Sequence, residues 1–226
     1  MTVCILEHKY SIPDANDFIM LISNTFIAIF IIKILHYNSN AKVFINMSRI
    51  NILNEKLASL SITDELTRLN NRRSFLEYMD IIWKQSNRLK LPITVIMIDI
   101  DYFKKYNDSL GHLEGDKALI AVAQCLKSNL KRETDFVARF GGEEFVCLLP
   151  YIEKTEAVNF AQKLVQSIED MKISHPMNAI SEYVTISAGM STITPAEHNT
   201  HAQLLDEADK ALYRAKQSGR NKVIAH

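Results

Sequence analysis

Residues 18–32 read FIMLISNTFIAIFII, and twelve of these fifteen side chains are apolar and none is charged. After Lys33 the run continues through Ile34, Leu35, His36 and Tyr37. As a helix, residues 18–37 reach about 30 Å, the thickness of a bilayer's hydrocarbon core. Apolar side chains surround this helix, whereas a helix docked on a soluble core needs only one apolar stripe. Asp14 and Asp17 precede the run, and Lys33, Lys42 and Arg49 lie toward its C-terminal side. The positive-inside rule counts Lys and Arg only and puts that side in the cytoplasm. Acidic Glu7, Asp14 and Asp17 stand where a signal peptide would be basic, which favours a retained anchor. The expected location is therefore the inner (cytoplasmic) membrane, with the bulk of the chain in the cytoplasm. If the run is instead a core helix, the whole chain is cytoplasmic.

The chain divides into an N-terminal segment 1–17, a membrane helix 18–37, a linker or coiled-coil helix 38–62 and a domain 63–226. Ile50, Leu53, Leu57 and Leu60 are spaced 3, 4, 3, an a/d seam barely two heptads long. That spacing suits a short parallel coiled coil between two chains and equally an amphipathic helix docked on its own domain. The expectation is either a fragment of a longer membrane sensor or a short protein driven by a partner. Beyond residue 63 the pattern predicts helices at 74–90, 115–130, 153–171 and 202–217. It predicts strands at 93–101, 135–140, 144–149, 183–193 and 222–225. Strands alternate with helices, but the pair around Gly141-Gly142 is a hairpin. The expectation is an α+β domain of about 160 residues, a mixed central sheet with flanking helices.

Charge and cysteines narrow the chemistry. Lys plus Arg equals Asp plus Glu at 26 each, so a neutral chain gives no electrostatic case for gripping a nucleic-acid backbone over a broad surface, and local basic sites for a phosphate remain open. Cys4, Cys125 and Cys147 are scattered and form no metal or disulfide framework, which fits a reducing compartment. His198 and His201 sit in a polar stretch and read as a solvated loop pair.

Four constellations remain. Asp99 and Asp101 end a buried strand, on one face by alternation, where a hard cation commonly binds. Gly141-Gly142-Glu143-Glu144 makes a tight turn whose glycines take positive φ cheaply. A mixed sheet can bring Asp99 beside Glu143, and two such carboxylates repel unless a cation lies between them. Between these motifs lie Phe103, Lys104 and Asn107 at a turn, with Gly111-His112 and Gly115-Asp116 at a helix start. Helix N-termini offer N–H groups to phosphate, and Asn with Asp can read guanine. Asp116 is equally an ordinary helix N-terminal acid. Last, Lys216 and Arg220 stand four apart at a helix end, suited to terminal phosphates or to the helix's own C-terminus.

Taken together, DIDYFKKYND (99–108), GHLEGD (111–116), RFGGEEF (139–145) and KALYRAKQSGRNKV (210–223) closely resemble the GGDEF family of diguanylate cyclases, and DELTRLNNRR (64–73) is similar to that domain's opening motif. The resemblance implies a palm-type nucleotidyl cyclase fold acting as a homodimer with one GTP per half-site. Each 3′-hydroxyl attacks the α-phosphate of the other GTP, giving cyclic di-GMP and two pyrophosphates. It implies Mg²⁺, with Mn²⁺ as a substitute, on Asp99, the Ile100 carbonyl and Glu143. Glu143 would also deprotonate the 3′-hydroxyl, and Glu144 would support it. Asn107 and Asp116 would read guanine, and His112 would line the nucleoside pocket. Lys104, with the 103–104 backbone, would contact phosphates and steady the transition state. Lys216 and Arg220 would hold the β- and γ-phosphates. Arg132 and Asp135, five or more residues before Gly141, are similar to the family's RxxD site, where product binds and inhibits. Glu143 stands where many members have Asp and keeps the carboxylate. The rival expectations are a non-catalytic module that binds cyclic di-GMP or GTP, and a cyclase with adenine in its product, against which Asp116 argues.

Overall fold

The computed structural model describes residues 15–196 and 198–226. The segment 1–14, with Cys4, Glu7 and Asp14, lies outside the described residues. The chain forms two compact units, divided between Leu60 and Ser61.

Among its described residues the first unit is one helix, α1 (Ala15–Leu60), running unbroken through the apolar stretch and the linker. Its portion Phe18–Phe44 is long and apolar enough to cross a membrane, by length and composition. Phe18, Phe26, Phe30 and Leu35 are all exposed on it, as an all-round apolar helix requires. Ile50 is exposed as well, and the remaining seam side chains Leu53, Leu57 and Leu60 lie outside the described residues.

The second unit carries β1 (Asn70–Asn71), α2 (Arg72–Leu89), β2 (Ile93–Ile100), α3 (Phe103–Leu110), α4 (His112–Asn129), β3 (Phe136–Gly141) and β4 (Glu144–Pro150), then α5 (Lys154–Glu169), β5 (Ile186–Ile193), α6 (His201–Gln217) and β6 (Val223–Ala225). The sheet order is β1-β3-β4-β2-β5-β6. β2 lies at its centre, antiparallel to both β4 and β5, while β1 and β6 add parallel edges. All eight residues of β2 are buried, which is why its sequence is a continuous apolar run. Even-numbered Ile96, Ile98 and Ile100 face a core shared with α4 and α5. Odd-numbered Ile93, Val95 and Met97 face a second core with α2 and α6.

Local signals set the ends. Asn71 caps α2 by accepting from Ser74 N at 3.0 Å, and Lys90 closes it in the left-handed conformation. Thr200 caps α6 through Gln203 N at 3.2 Å. α6 lies directly on β5 at Gly189, where a Cβ would come within 1.9 Å of Leu212 N. The predicted helices and strands hold to within a few residues, but β1 and α3 have no counterpart in the sequence reading. α3 occupies the stretch expected to be a turn, and α4 starts at His112, three residues early, so Asp116 sits in its second turn and not at its N-terminus. His201 is likewise the first residue of α6 and pairs with Asp80 at 3.1 Å.

Candidate active site

The site straddles the end of the sheet where β2 meets the β3–β4 hairpin. Gly141 pairs with Glu144, so the turn is Gly142-Glu143, and its positive φ falls on Gly142 alone (+40°). Ile100 N–H reaches the Glu143 carbonyl at 3.4 Å, which ties the strand end to the turn. In the β2–β4 register Asp99 stands directly opposite Glu144. Both therefore point to the α6 side, and there Lys216 Nζ donates to Asp99 at 2.7 Å. Burial pushes the Asp99 carboxyl up to about 6 against the pull of Lys216, and the charges of Glu143 and Glu144 add to the rise.

On the opposite face a cleft of about 490 Å³ is lined by Phe103, Lys104, Asn107, His112, Asp116 and Glu143. Six sequence-selected residues thus share one hollow. Asn107 is half-buried, and its Oδ1 has no hydrogen-bond partner among the described residues. It lies where Gly115 has no side chain, since a Cβ there would come within 1.8 Å of that oxygen. An acceptor left in this state suits a ligand N–H. A larger hollow of about 600 Å³ is formed by residues of the 174–183 loop and gathers none of the selected residues.

Asp99, Ile100, Glu144, Lys216 and Arg220 do not line the cleft; they sit at the strand end beside it. Asp101 parts company with Asp99. It is almost fully buried and accepts from Thr185 Oγ1 at 2.8 Å, Ser187 Oγ at 2.6 Å and Asn221 N at 3.1 Å. Its oxygens are thus committed to the protein, and it is a clamp between β2, β5 and the turn after α6. Burial pushes its carboxyl up, with those donors opposing. Arg220 stacks on the Tyr102 ring with 4.3 Å to the centroid. Arg132 donates from Nε to Asp135 Oδ1 at 2.8 Å, and the Asp135 side chain is only 4% exposed, so the two residues hold each other.

Two residues escaped the sequence reading. Arg139 lines the cleft, donates from Nε to the Gly142 carbonyl at 2.9 Å, and reaches Asp64 from Nη1 at 3.1 Å. Asp64, 75 residues away, has no local signal that could reveal its partner. Among the described residues no group of three or more His, Cys, Asp or Glu forms a metal cage. Asp99, Glu143 and Glu144 nonetheless concentrate negative charge around one buried carboxylate, and such oxygen donors could hold a hard cation.

The sequence profile described as diguanylate cyclase, GGDEF domain, matches residues 61–222. The chain belongs to the GGDEF family. Its GGDEF domain is similar to the response regulator PleD of Caulobacter vibrioides, 38% identical over 167 residues, covering 73% of this chain and 36% of PleD. Diguanylate cyclase A of Treponema denticola is 36% identical over 182 residues, covering 79% of this chain and 48% of that protein. The chain thus spans less than half the length of these two curated relatives. Among solved structures, the coiled coil and GGDEF domain of DgcB from Caulobacter crescentus, in complex with c-di-GMP, aligns with a TM-score of 0.67 at 26% identity, covering 83% of this chain and 98% of that one. The active GGEEF domain of a Vibrio cholerae diguanylate cyclase aligns at 0.62 and 32% identity, covering 70% and 97%.

Proposed function

We propose that the chain is a membrane-anchored diguanylate cyclase that condenses two GTP into cyclic di-GMP and two pyrophosphates. The observation that carries this reading is the gathering of Phe103, Lys104, Asn107, His112, Asp116 and Glu143 around one cleft, beside Asp99. Asn107 and Asp116 take the guanine edge, the orphaned Asn107 Oδ1 finding its N–H there. His112 and Phe103 flank the nucleoside. Lys104, Lys216 and Arg220 hold phosphate oxygens. Asp99, the Ile100 carbonyl and Glu143 would hold Mg²⁺, which would supply positive charge against that developing at the α-phosphate. Glu143 takes the proton of the attacking 3′-hydroxyl, with Glu144 adding to the negative field around it. The new 3′-O–P bond replaces the α–β phosphoanhydride bond, and pyrophosphate leaves.

One domain presents one nucleotide, so the reaction needs a second copy facing it, and a homodimer paired through the helix before residue 63 supplies that geometry. Residues 18–37 anchor the chain in the inner membrane, with 63–226 as the cytoplasmic catalytic domain. Product inhibition would act at Arg132 and Asp135, which hold each other through Arg132 Nε on Asp135 Oδ1 at 2.8 Å and keep further N–H donors and lone pairs for a ligand. A mass-resolved assay of the full chain in detergent, with GTP and Mg²⁺, tests the whole reading. Cyclic di-GMP from wild type and none from Glu143→Gln is the expected result. A folded dimer that binds cyclic di-GMP yet forms none would make the chain a receptor instead.

A further inference from the structure

Tyr102 and Arg220 are both non-glycine residues held at positive φ, +55° and +60°. Such backbones persist where the surroundings fix them, and they concentrate at functional sites. Here the two face each other. The Arg220 guanidinium lies 4.3 Å from the Tyr102 ring centroid, and its Nη1 donates to the Tyr102 hydroxyl at 3.0 Å. Each backbone is pinned from outside. The Tyr102 carbonyl faces His175 Nε2 at 3.3 Å and takes the first bond of α3 from Tyr106 N at 3.1 Å. Arg220 N donates to Ala215 O at 3.0 Å, and the next amide, Asn221 N, donates to Asp101. Asp101 in turn precedes Tyr102, so one buried carboxylate joins the two strained turns.

We propose that Tyr102 is a positioning residue, whose ring and hydroxyl hold the Arg220 guanidinium ready for the terminal phosphates of GTP. This rests on the reading of Arg220 as a phosphate ligand. A long Arg side chain about one-third exposed otherwise samples many rotamers, and ordering it on binding would cost affinity. A stack on one ring face plus a hydrogen bond removes that freedom beforehand, while the other guanidinium N–H groups stay available. Asp101 at 3.9 Å from Nε is too distant for a hydrogen bond and leaves that edge uncommitted.

The test compares the binding of 3′-deoxy-GTP, which lacks the nucleophile, with that of GMP, which lacks the terminal phosphates, on the full chain with Mg²⁺. Tyr102→Leu should weaken 3′-deoxy-GTP about tenfold and Tyr102→Phe about threefold, with GMP unchanged. Arg220→Ala should show the same selectivity, and adding Tyr102→Leu to it should cost nothing more. Additive losses, a parallel loss of GMP affinity, or no loss in Tyr102→Leu would each overturn the positioning role while leaving Arg220 as a ligand. Unchanged 3′-deoxy-GTP binding in Arg220→Ala would instead remove the phosphate reading and the proposal with it. Should Tyr102→Leu fail to fold by its melting curve, Tyr102→Phe carries the same comparison.

Discussion

Asp64→Asn probes whether the turn that bears Glu143 is braced from the far end of the sequence. The Asp64 carboxylate accepts from Thr67 N at 2.8 Å and Thr67 Oγ1 at 2.7 Å, and meets Arg139 Nη1 at 3.1 and 3.3 Å. The paired side chains are 24% and 16% exposed, between a surface pair and a buried one. Surface pairs contribute about 0–1 kcal/mol, and breaking a buried pair costs about 3–5 kcal/mol, so about 2 kcal/mol is the expected loss. In a domain of this size that lowers Tm by about 4–8 °C, readable from the fluorescence of the single tryptophan, Trp83. Burial pushes the Asp64 carboxyl up, but the Thr67 amide, the Thr67 hydroxyl and Arg139 outweigh it, so it titrates below its ordinary 3.8. A carboxyl with a lowered folded pKa stabilises above its unfolded value and ceases to as pH falls through the folded one. The gap between wild type and Asp64→Asn should therefore stay constant from neutral pH down to about 4.5 and close below 3.8. Because Arg139 Nε also holds the Gly142 carbonyl, turnover should drop by about tenfold with GTP affinity little changed. A variant with wild-type Tm and turnover, or a stability gap that widens on acidification, refutes the bracing argument.

Gly115→Ala ordinarily strengthens a helix by about 1 kcal/mol, yet here the methyl would meet Asn107 Oδ1 at 1.8 Å. The fold should survive while calorimetry shows GTP affinity down by about tenfold, and unchanged affinity would detach Asn107 from the base. Gly189→Ala collides with backbone atoms of α6 at 1.9 and 2.3 Å, so Tm should fall by about 6 °C or more, and a wild-type melt would contradict the packing. Asp116→Ser should let ATP compete for the site, whereas undiminished selectivity for GTP would move base recognition elsewhere. If α1 spans a bilayer, a carbonate wash should leave the chain in the membrane pellet, and release into the supernatant would contradict the anchor.

What the sequence disclosed follows physical range. β2, the hairpin and the long amphipathic helices are written in neighbouring residues, and their periods survive folding nearly unchanged. α3 was hidden because Phe103–Leu110 is short and polar, and because its entry depends on Tyr102 adopting a left-handed backbone that no local rule predicts. The cleft residues were legible through the motifs that carry them. Asp64 with Arg139, and Tyr102 with Arg220, were not, since each pair joins segments 75 and 118 residues apart through contacts made only after the sheet is assembled. Asp101 shows the opposite failure. Alternation joined it to Asp99 as a cation ligand, but the strand ends one residue earlier, and Asp101 turns inward to the hydroxyls of Thr185 and Ser187.

The register of β2 against β4 explains why this end of the sheet should bind a cation at all. Like charges directly opposed on antiparallel strands are destabilising, and Asp99 faces Glu144 in that way with Glu143 one residue further on. A fold selected for stability alone would place an apolar or oppositely charged pair there. Instead one carboxyl is driven up to about 6, and Lys216 is drawn onto it from α6. The flanking positions Met97, Val146 and Ile98 obey the ordinary core pattern without exception. The conflict is therefore confined to the three acids at the strand end, and it is relieved by whatever positive charge comes to them. A divalent cation carrying the phosphates of a nucleotide would relieve it more fully than one lysine, and on the proposed reading Lys216 would then be free to meet those phosphates.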